Sequence, residues 1–300
     1  IITDGAFDSQ NVAFWDGENR QYRAYWRVFE KGKTRFSEER SHRAIRTAVS
    51  RNFRTWENLE NLAYVDSPPE ELYTNVVKPY PRAPHILIGF PARYLDRDWS
   101  ESMIALPERE FREQRSHEGY PRYGTALTES LLMASRDGVN FKRWGEAFLR
   151  PGIERPGTWF YAHQFIAWHV VETKSALEGA PDELSFYAWE RSPWGREREI
   201  LNRLRRYTLR LDGFVSVHAP MSGGELITRP FTFTGENLVL NFSTSAAGGI
   251  QVEVQDANGA ALPAFRLEDC PAVFGDTLER TVAWRNGARV GSLAGRPVRL

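Results

Sequence analysis

Two carboxylates beside strand-forming, aromatic-rich segments are the residues of this chain best suited to chemistry. Asp8 stands in Gly5-Ala6-Phe7-Asp8-Ser9-Gln10-Asn11, just ahead of an apolar run, and Glu129 stands in Leu127-Thr128-Glu129-Ser130-Leu131, just after a long charged stretch. Cleavage of a glycosidic bond uses two carboxyl groups flanking the bond, one protonated as acid and one ionised as base or nucleophile. Partial burial at a strand start would favour the protonated form, which makes Glu129 the candidate acid. Each residue also has a plainer role, Asp8 as a turn or cap and Glu129 as a solvated strand-end carboxylate. Asp98 and Glu101, in the preceding charged stretch, compete with Glu129 for the acid role.

Around these acids the sequence offers groups that hold a sugar. Asn11, Tyr73, Asn75 and Tyr161 fall at expected strand ends on one rim, together with Arg27, His42, Arg43, Arg93, Gln164 and the loop residues Glu38 and Arg40. Arg43 and Arg93 are suited to bidentate binding of a substrate carboxylate or sulfate, or to pairing with nearby acids. His163, among Trp159, Phe160, Tyr161 and Phe165, is either a donor to a sugar hydroxyl or a satisfied core histidine. Tyr and Trp rings stack on apolar sugar faces but equally fill β cores.

The elements that must position these groups read as strands. Asp16-Gly17-Glu18-Asn19 is a turn between strands at 7–16 and 22–29; further strands are expected at 43–50, 72–77, 85–94, 128–135, 158–171, 183–190 and 203–211. The insertion 95–124 is a functional or disordered loop by its length, with a short helix expected at 108–115. The stretch 195–206 reads either as a loop or as an amphipathic helix. A segment recurs 85 positions apart, as Ser50-Arg51-Asn52-Phe53-Arg54-Thr55-Trp56 and as Ser135-Arg136-Asp137-Gly138-Val139-Asn140-Phe141-Lys142-Arg143-Trp144. Repetition of a β unit at this period points to a propeller array. After Phe214 the short strands and Gly, Asn and Asp turns suggest a β-sandwich.

Composition narrows the classes. Balanced charge, 39 basic against 39 acidic residues, gives no electrostatic reason for a nucleic-acid partner. The apolar runs are far shorter than the roughly 20 residues of a membrane span. Cys270 is alone, so it forms no internal disulfide and reads as a small buried hydrophobe. No HExxH, paired-cysteine metal site, GxSxG elbow, P-loop or dinucleotide fingerprint is present, and no metal or cofactor is expected. The first residue is Ile1 and the last is Leu300, which read as the ends of a fragment.

The segments 5–16, 135–141, 206–216 and 241–248 resemble bacterial proteins described as glycoside hydrolase family 32-like or family 43-like, and the resemblance runs over nearly the whole chain. It implies an all-β fold, a five-bladed β-propeller followed by a β-sandwich. Here about three blades are expected over 1–215 and the sandwich over 216–300, with the first blades missing. It also implies a carbohydrate substrate, with Asp8 matching a transition-state stabiliser and the nucleophile or base on an absent blade. The Glu-Cys acid motif of invertases is not found. Secretion or a periplasmic location is favoured, and the oligomeric state is left open. Two other readings remain: a non-catalytic carbohydrate-binding or structural propeller, and a sialidase-like hydrolase, which requires an arginine cluster at the rim.

Overall fold

A computed structural model describes residues 2–31, 41–190 and 203–300. The expected loop residues Glu38 and Arg40, and most of the ambiguous stretch 195–206, lie outside the described residues. The chain divides into two compact units, Ile1–Thr208 and Leu209–Leu300.

The first unit is mostly β. It opens with an antiparallel meander of β1 (Val12–Asp16), β2 (Gln21–Lys31), β3 (Ser41–Ser50) and β4 (Glu57–Asn61), in the order β1-β2-β3-β4. β2 and β3 pair along ten positions, from Tyr22 opposite Ser50 to Lys31 opposite Ser41. Both faces of β2 are covered. Ala24, Trp26 and Val28 pack with Ala48 on one side, while Tyr25 joins Ile45, Leu72, Leu131 and Phe141 in the main core on the other. Each such large side chain contributes roughly 1.5–3 kcal/mol by leaving water.

The remaining strands of this unit are β5 (Ala63–Val65), β6 (Glu71–Leu72), β7 (Lys78–Tyr80), β8 (Ala83–Gly89), β9 (Ala92–Asp96), β10 (Ala126–Ser130), β11 (Met133–Ser135), β12 (Asn140–Arg143), β13 (Val171–Thr173), β14 (Glu183–Trp189) and β15 (Leu204–Arg210), whose last residues, Leu209 and Arg210, are counted in the second unit. They form three sheets, β5-β12-β11-β8-β7, β10-β9-β6 and β13-β14-β15. Among the described residues these sheets close into no barrel or ring of blades.

Four expected strands are broken: of the run 72–77 only Leu72 joins a strand, in β6, and three others are interrupted. The run 85–94 splits at Phe90-Pro91 into β8 and β9, which belong to different sheets, because proline cannot donate to a ladder. The run 128–135 splits into β10 and β11, which also belong to different sheets, and Leu131 and Leu132 at the break are buried. The stretch 158–170 is irregular, with Trp159, Ala162 and Gln164 all in the left-handed region at φ 59, 60 and 60. His163 therefore sits in a turn segment instead of a strand.

The insertion carries α1 (Glu101–Ala105) and α2 (Arg109–Glu118), the latter covering most of the helix expected at 108–115. Ser100 Oγ caps α1 by accepting from the Met103 amide at 3.3 Å.

The repeated segment proves to be one turn used twice. Asn52 Oδ1 accepts from the amides of Arg54 and Thr55, both at 2.9 Å, and Asp137 Oδ1 accepts from those of Val139 and Asn140, both at 2.8 Å. Each side chain also meets its serine, Ser50 at 3.3 Å and Ser135 at 3.0 Å. The structural match puts Phe53 opposite Gly138 and Trp56 opposite Phe141, so the phenylalanines that align by sequence are not equivalent. β2 is sewn to the second copy, where Tyr25 Oη donates to the Gly138 carbonyl at 2.8 Å and Arg23 to the Asp137 carbonyl at 3.1 Å.

The second unit holds two antiparallel pairs, β16 (Val239–Ser243) with β18 (Asp276–Thr281) and β17 (Gln255–Asp256) with β19 (Val298–Arg299). Their core is Val254, Phe265, Cys270, Val282, Trp284, Val290, Leu293 and Val298, and Cys270 is buried as expected. No described helix is long and apolar enough to cross a membrane.

Candidate functional site

Four of the expected site residues, Asp8, Arg43, Tyr73 and Tyr161, are gathered into one cluster of rings and cations. Alternation along β2 places Arg27 on the same face as Tyr25, and the register sets Arg43 on β3 opposite Phe29. Both guanidiniums are buried, and both lie over the Tyr73 ring, their Cζ atoms 4.8 and 4.9 Å from its centroid. Arg43 also stacks on Tyr94 at 4.0 Å. Each has a carboxylate: Glu71 binds Arg43 Nη1 at 2.6 Å, and Asp8 binds Arg27.

The rings interlock. Tyr161 packs edge-on against Tyr73 and Tyr94, with centroids 5.9 and 5.4 Å away, and its hydroxyl lies 3.2 Å from that of Tyr73. Burial, with the hydrogen bond to Tyr73, pushes the Tyr161 pKa far up; burial does the same to Tyr94 against the opposing fields of Arg43 and Arg122. Both stay neutral phenols. Burial works against the Arg43 charge, but Tyr94, Glu71 and Tyr161 outweigh it and raise its pKa. The Tyr94 hydroxyl is buried without a partner.

Asn11 and Asn75 position this cluster from behind. Asn11 Nδ2 donates to the carbonyls of Phe7 at 3.1 Å and Ser9 at 2.8 Å, fixing the loop that carries Asp8. Asn75, fully buried, donates to the Gln10 carbonyl at 3.1 Å and so ties the same loop to the Tyr73 segment. Next to it Val76 is held at φ 48, an outlier for a β-branched residue.

Glu129 and Arg93 are brought together elsewhere. They face each other across β9 and β10, one position along from Thr128 opposite Tyr94, and therefore project from the other face of that sheet. Arg93 donates to Glu129, to Glu70 at 2.7 Å and to the Gly145 carbonyl at 3.0 Å; Arg143 meets Glu70 at 3.0 Å.

Glu129 also lines a cavity of about 250 Å³, close to the low end of small-molecule sites. Its walls include Leu95, Met103, Leu106, Leu127 and Trp159, and its polar groups include Arg97, Ser102, Thr128 and Glu154. Glu154 is exposed and makes no ion pair among the described residues. Trp159 is fixed from two sides. Its indole donates to the Gly152 carbonyl at 2.8 Å, and its own carbonyl accepts from the buried Arg112 of α2. Burial lowers the Arg112 pKa to about 10 against the opposing field of Glu108. The left-handed Trp159 is thus an aromatic wall held in a strained backbone, a feature that concentrates at functional sites.

His163 is fully buried, its Nδ1 without a partner and its Nε2 3.4 Å from Gln164 Nε2. Burial brings its pKa down to about 4, with Glu190 opposing and Arg155 assisting. Asp98 and Glu101 are exposed, at the end of β9 and the start of α1. Among the described residues no group of three His, Cys, Asp or Glu side chains is placed to hold a metal ion. Sequence reading missed Glu70, Glu71, Tyr94 and Glu154. Glu70 and Glu71 stand immediately before the Leu72-Tyr73 segment that was singled out, and an acid beside an inward tyrosine was the available signal.

No family model and no curated protein matches the sequence. Among solved structures, the chain is similar to the crystal structure of an N-acetylgalactosamine deacetylase from F. plautii in complex with blood group B trisaccharide, at 13% sequence identity and a TM-score of 0.37, spanning 63% of this chain and 42% of that one.

Proposed function

We propose that the chain acts on carbohydrate as a glycoside hydrolase, with the cavity beside Glu129 receiving the sugar at the scissile bond. The observation that carries this reading is that Glu129, Glu154 and Trp159 line one cavity. A glycosidase needs two carboxyl groups around a space for one sugar ring and an apolar wall against which the ring stacks. The pairing of Glu129 with Arg93 moves it from the acid role expected of it in the sequence to that of base or nucleophile, and Glu154, the other carboxylate lining the cavity, is assigned the acid. Asp8, paired with Arg27 in the other cluster, takes no part in the proton transfers at this cavity.

The architecture proposed with this function is that of the family 32-like and family 43-like proteins the sequence resembles. The β1–β4 meander has the strand number and order of one propeller blade. The two strand pairs over the second core are the corresponding sandwich.

The test is turnover of a panel of oligosaccharides by the wild-type chain, Glu129→Gln and Glu154→Gln, with circular dichroism to confirm folding. Loss of one acid or base is expected to cut turnover by about 10²- to 10⁴-fold. Equal turnover by all three proteins would remove the assignment.

A further inference from the structure

We infer that the Arg27, Arg43 and Tyr94 cluster is a second site, separate from the cavity, which binds the carboxylate of an acidic sugar, and that Asp8 occupies that carboxylate's place in the free chain. The inference takes the sugar from the glycan reading above and the carboxylate from the cluster itself.

The two ion pairs are unequal. Glu71 belongs to β6 and its side chain is 16% exposed, so it is a fixed counter-ion of Arg43. Asp8 belongs to the loop before β1 and its side chain is 71% exposed, although the Arg27 it meets is 3% exposed. A buried guanidinium whose carboxylate stands in solvent is accessible to another carboxylate that displaces the first. The planar fork of arginine fits that group bidentately.

Unused capacity lies beside it. Arg27 Nε and the Tyr94 hydroxyl are buried without hydrogen-bond partners. A buried polar atom left unpaired in a native fold calls for a cause, and a bound ligand is one. A third guanidinium, Arg122, lies 5.5 Å from the Tyr94 centroid, and its side chain forms no ion pair among the described residues. Asp96, the other acid near Tyr94, is turned to the Thr125 hydroxyl and the Asp98 amide. The half-buried rings of Tyr73 and Tyr161 supply apolar surface and hydroxyls for the sugar body.

Calorimetric titration with glucuronate, glucose and inorganic sulfate tests this in the whole chain. Glucuronate is expected to bind wild type and glucose is not. Asp8→Asn, which removes the resident competitor's charge, is expected to tighten glucuronate by about tenfold. Arg122→Gln and Tyr94→Phe, both milder than loss of buried Arg27, are expected to weaken it by about the same factor. Unchanged or weaker glucuronate binding by Asp8→Asn would overturn the inference, as would sulfate binding as tightly as glucuronate. Because binding is read without hydrolysis, failure of the glycosidase reading leaves this result interpretable.

Discussion

Arg43 lies 4.0 Å from the centroid of Tyr94 while holding Glu71 at 2.6 Å, so one cation from β3 fastens both β6 and β9. The two contacts make different demands on the side chain. Stacking needs a flat cation, and the pair with Glu71 needs a donor aimed along its edge. Lysine meets the second and not the first. Arg43→Lys is therefore expected to lower unfolding stability by about 1–3 kcal/mol, read by urea titration. Tyr94→Phe keeps the ring and removes a hydroxyl that has no partner, so its stability should stay within about 0.5 kcal/mol of wild type. A large loss in Tyr94→Phe would mean that the hydroxyl is satisfied in the free chain.

The two Asx turns allow a comparison inside one molecule. At the same turn position the chain uses Gly138 at φ 81 and Phe53 at φ 61. A Cβ at Gly138 would stand 2.6 Å from Arg23 Cζ, which is buried against this turn. Gly138→Ala should cost about 1–3 kcal/mol through left-handed strain and displacement of Arg23. At position 53 the strain is already present and is offset by ring contacts with Tyr22 and Trp56, at 5.0 and 5.4 Å. Phe53→Gly trades about 1 kcal/mol of relief against ring contacts of similar size, so its melting temperature should barely move.

These turns also mark what the sequence made legible. The Ser-x-Asn/Asp pattern is local chemistry, since its hydrogen bonds span three residues, and it could be read directly. Strand alternation gave β2 and β3 for the same reason. The break at Phe90-Pro91 carries its own marker, since proline cannot donate to a ladder, whereas the break at Leu131-Leu132 depends on two sheets meeting at that point, which a continuous apolar run does not reveal. For the site, Asp8, Arg43, Tyr73 and Tyr161 were found together because each lies at a strand end or turn. The distribution of Glu129 and Arg93 to the opposite face of β9 follows from a register of one residue, and register is fixed by long-range packing.

The Glu70, Arg93 and Glu129 group gives a third prediction. Arg93 is the one cation bridging the two glutamates, and both carboxylates are mostly shielded, at 15% and 19% exposed. Removing it leaves two partly buried negative charges facing each other, with Arg143 compensating only Glu70. Arg93→Met should destabilise the first unit by about 3 kcal/mol at neutral pH. Adding Glu129→Gln to that variant should restore part of the loss, and a double-mutant cycle in urea measures the coupling.

Stability should also fall on mild acidification, and the direction follows from two histidines. Burial holds His163 and His169 neutral and lowers each pKa from 6.5 to about 4; Glu190 and the Ile88 carbonyl, respectively, oppose the shift. In the unfolded chain both take up a proton as pH drops through 6.5, whereas the folded chain resists until about 4. The unfolded state thus binds more protons over that window. Stability is full above pH 6.5 and declines toward pH 4, by on the order of 3 kcal/mol for each histidine at the lower limit. His169 is the cleaner probe because it sits beside Phe90 with its Nε2 3.3 Å from the Ile88 carbonyl and is not among the residues of either candidate site. Urea unfolding of wild type and His169→Gln at pH 7.5 and 5 checks the effect. The variant should start lower, having lost a fitted ring, yet lose less between the two pH values. An equal loss in both proteins would show that His169 does not carry its share of the acid sensitivity.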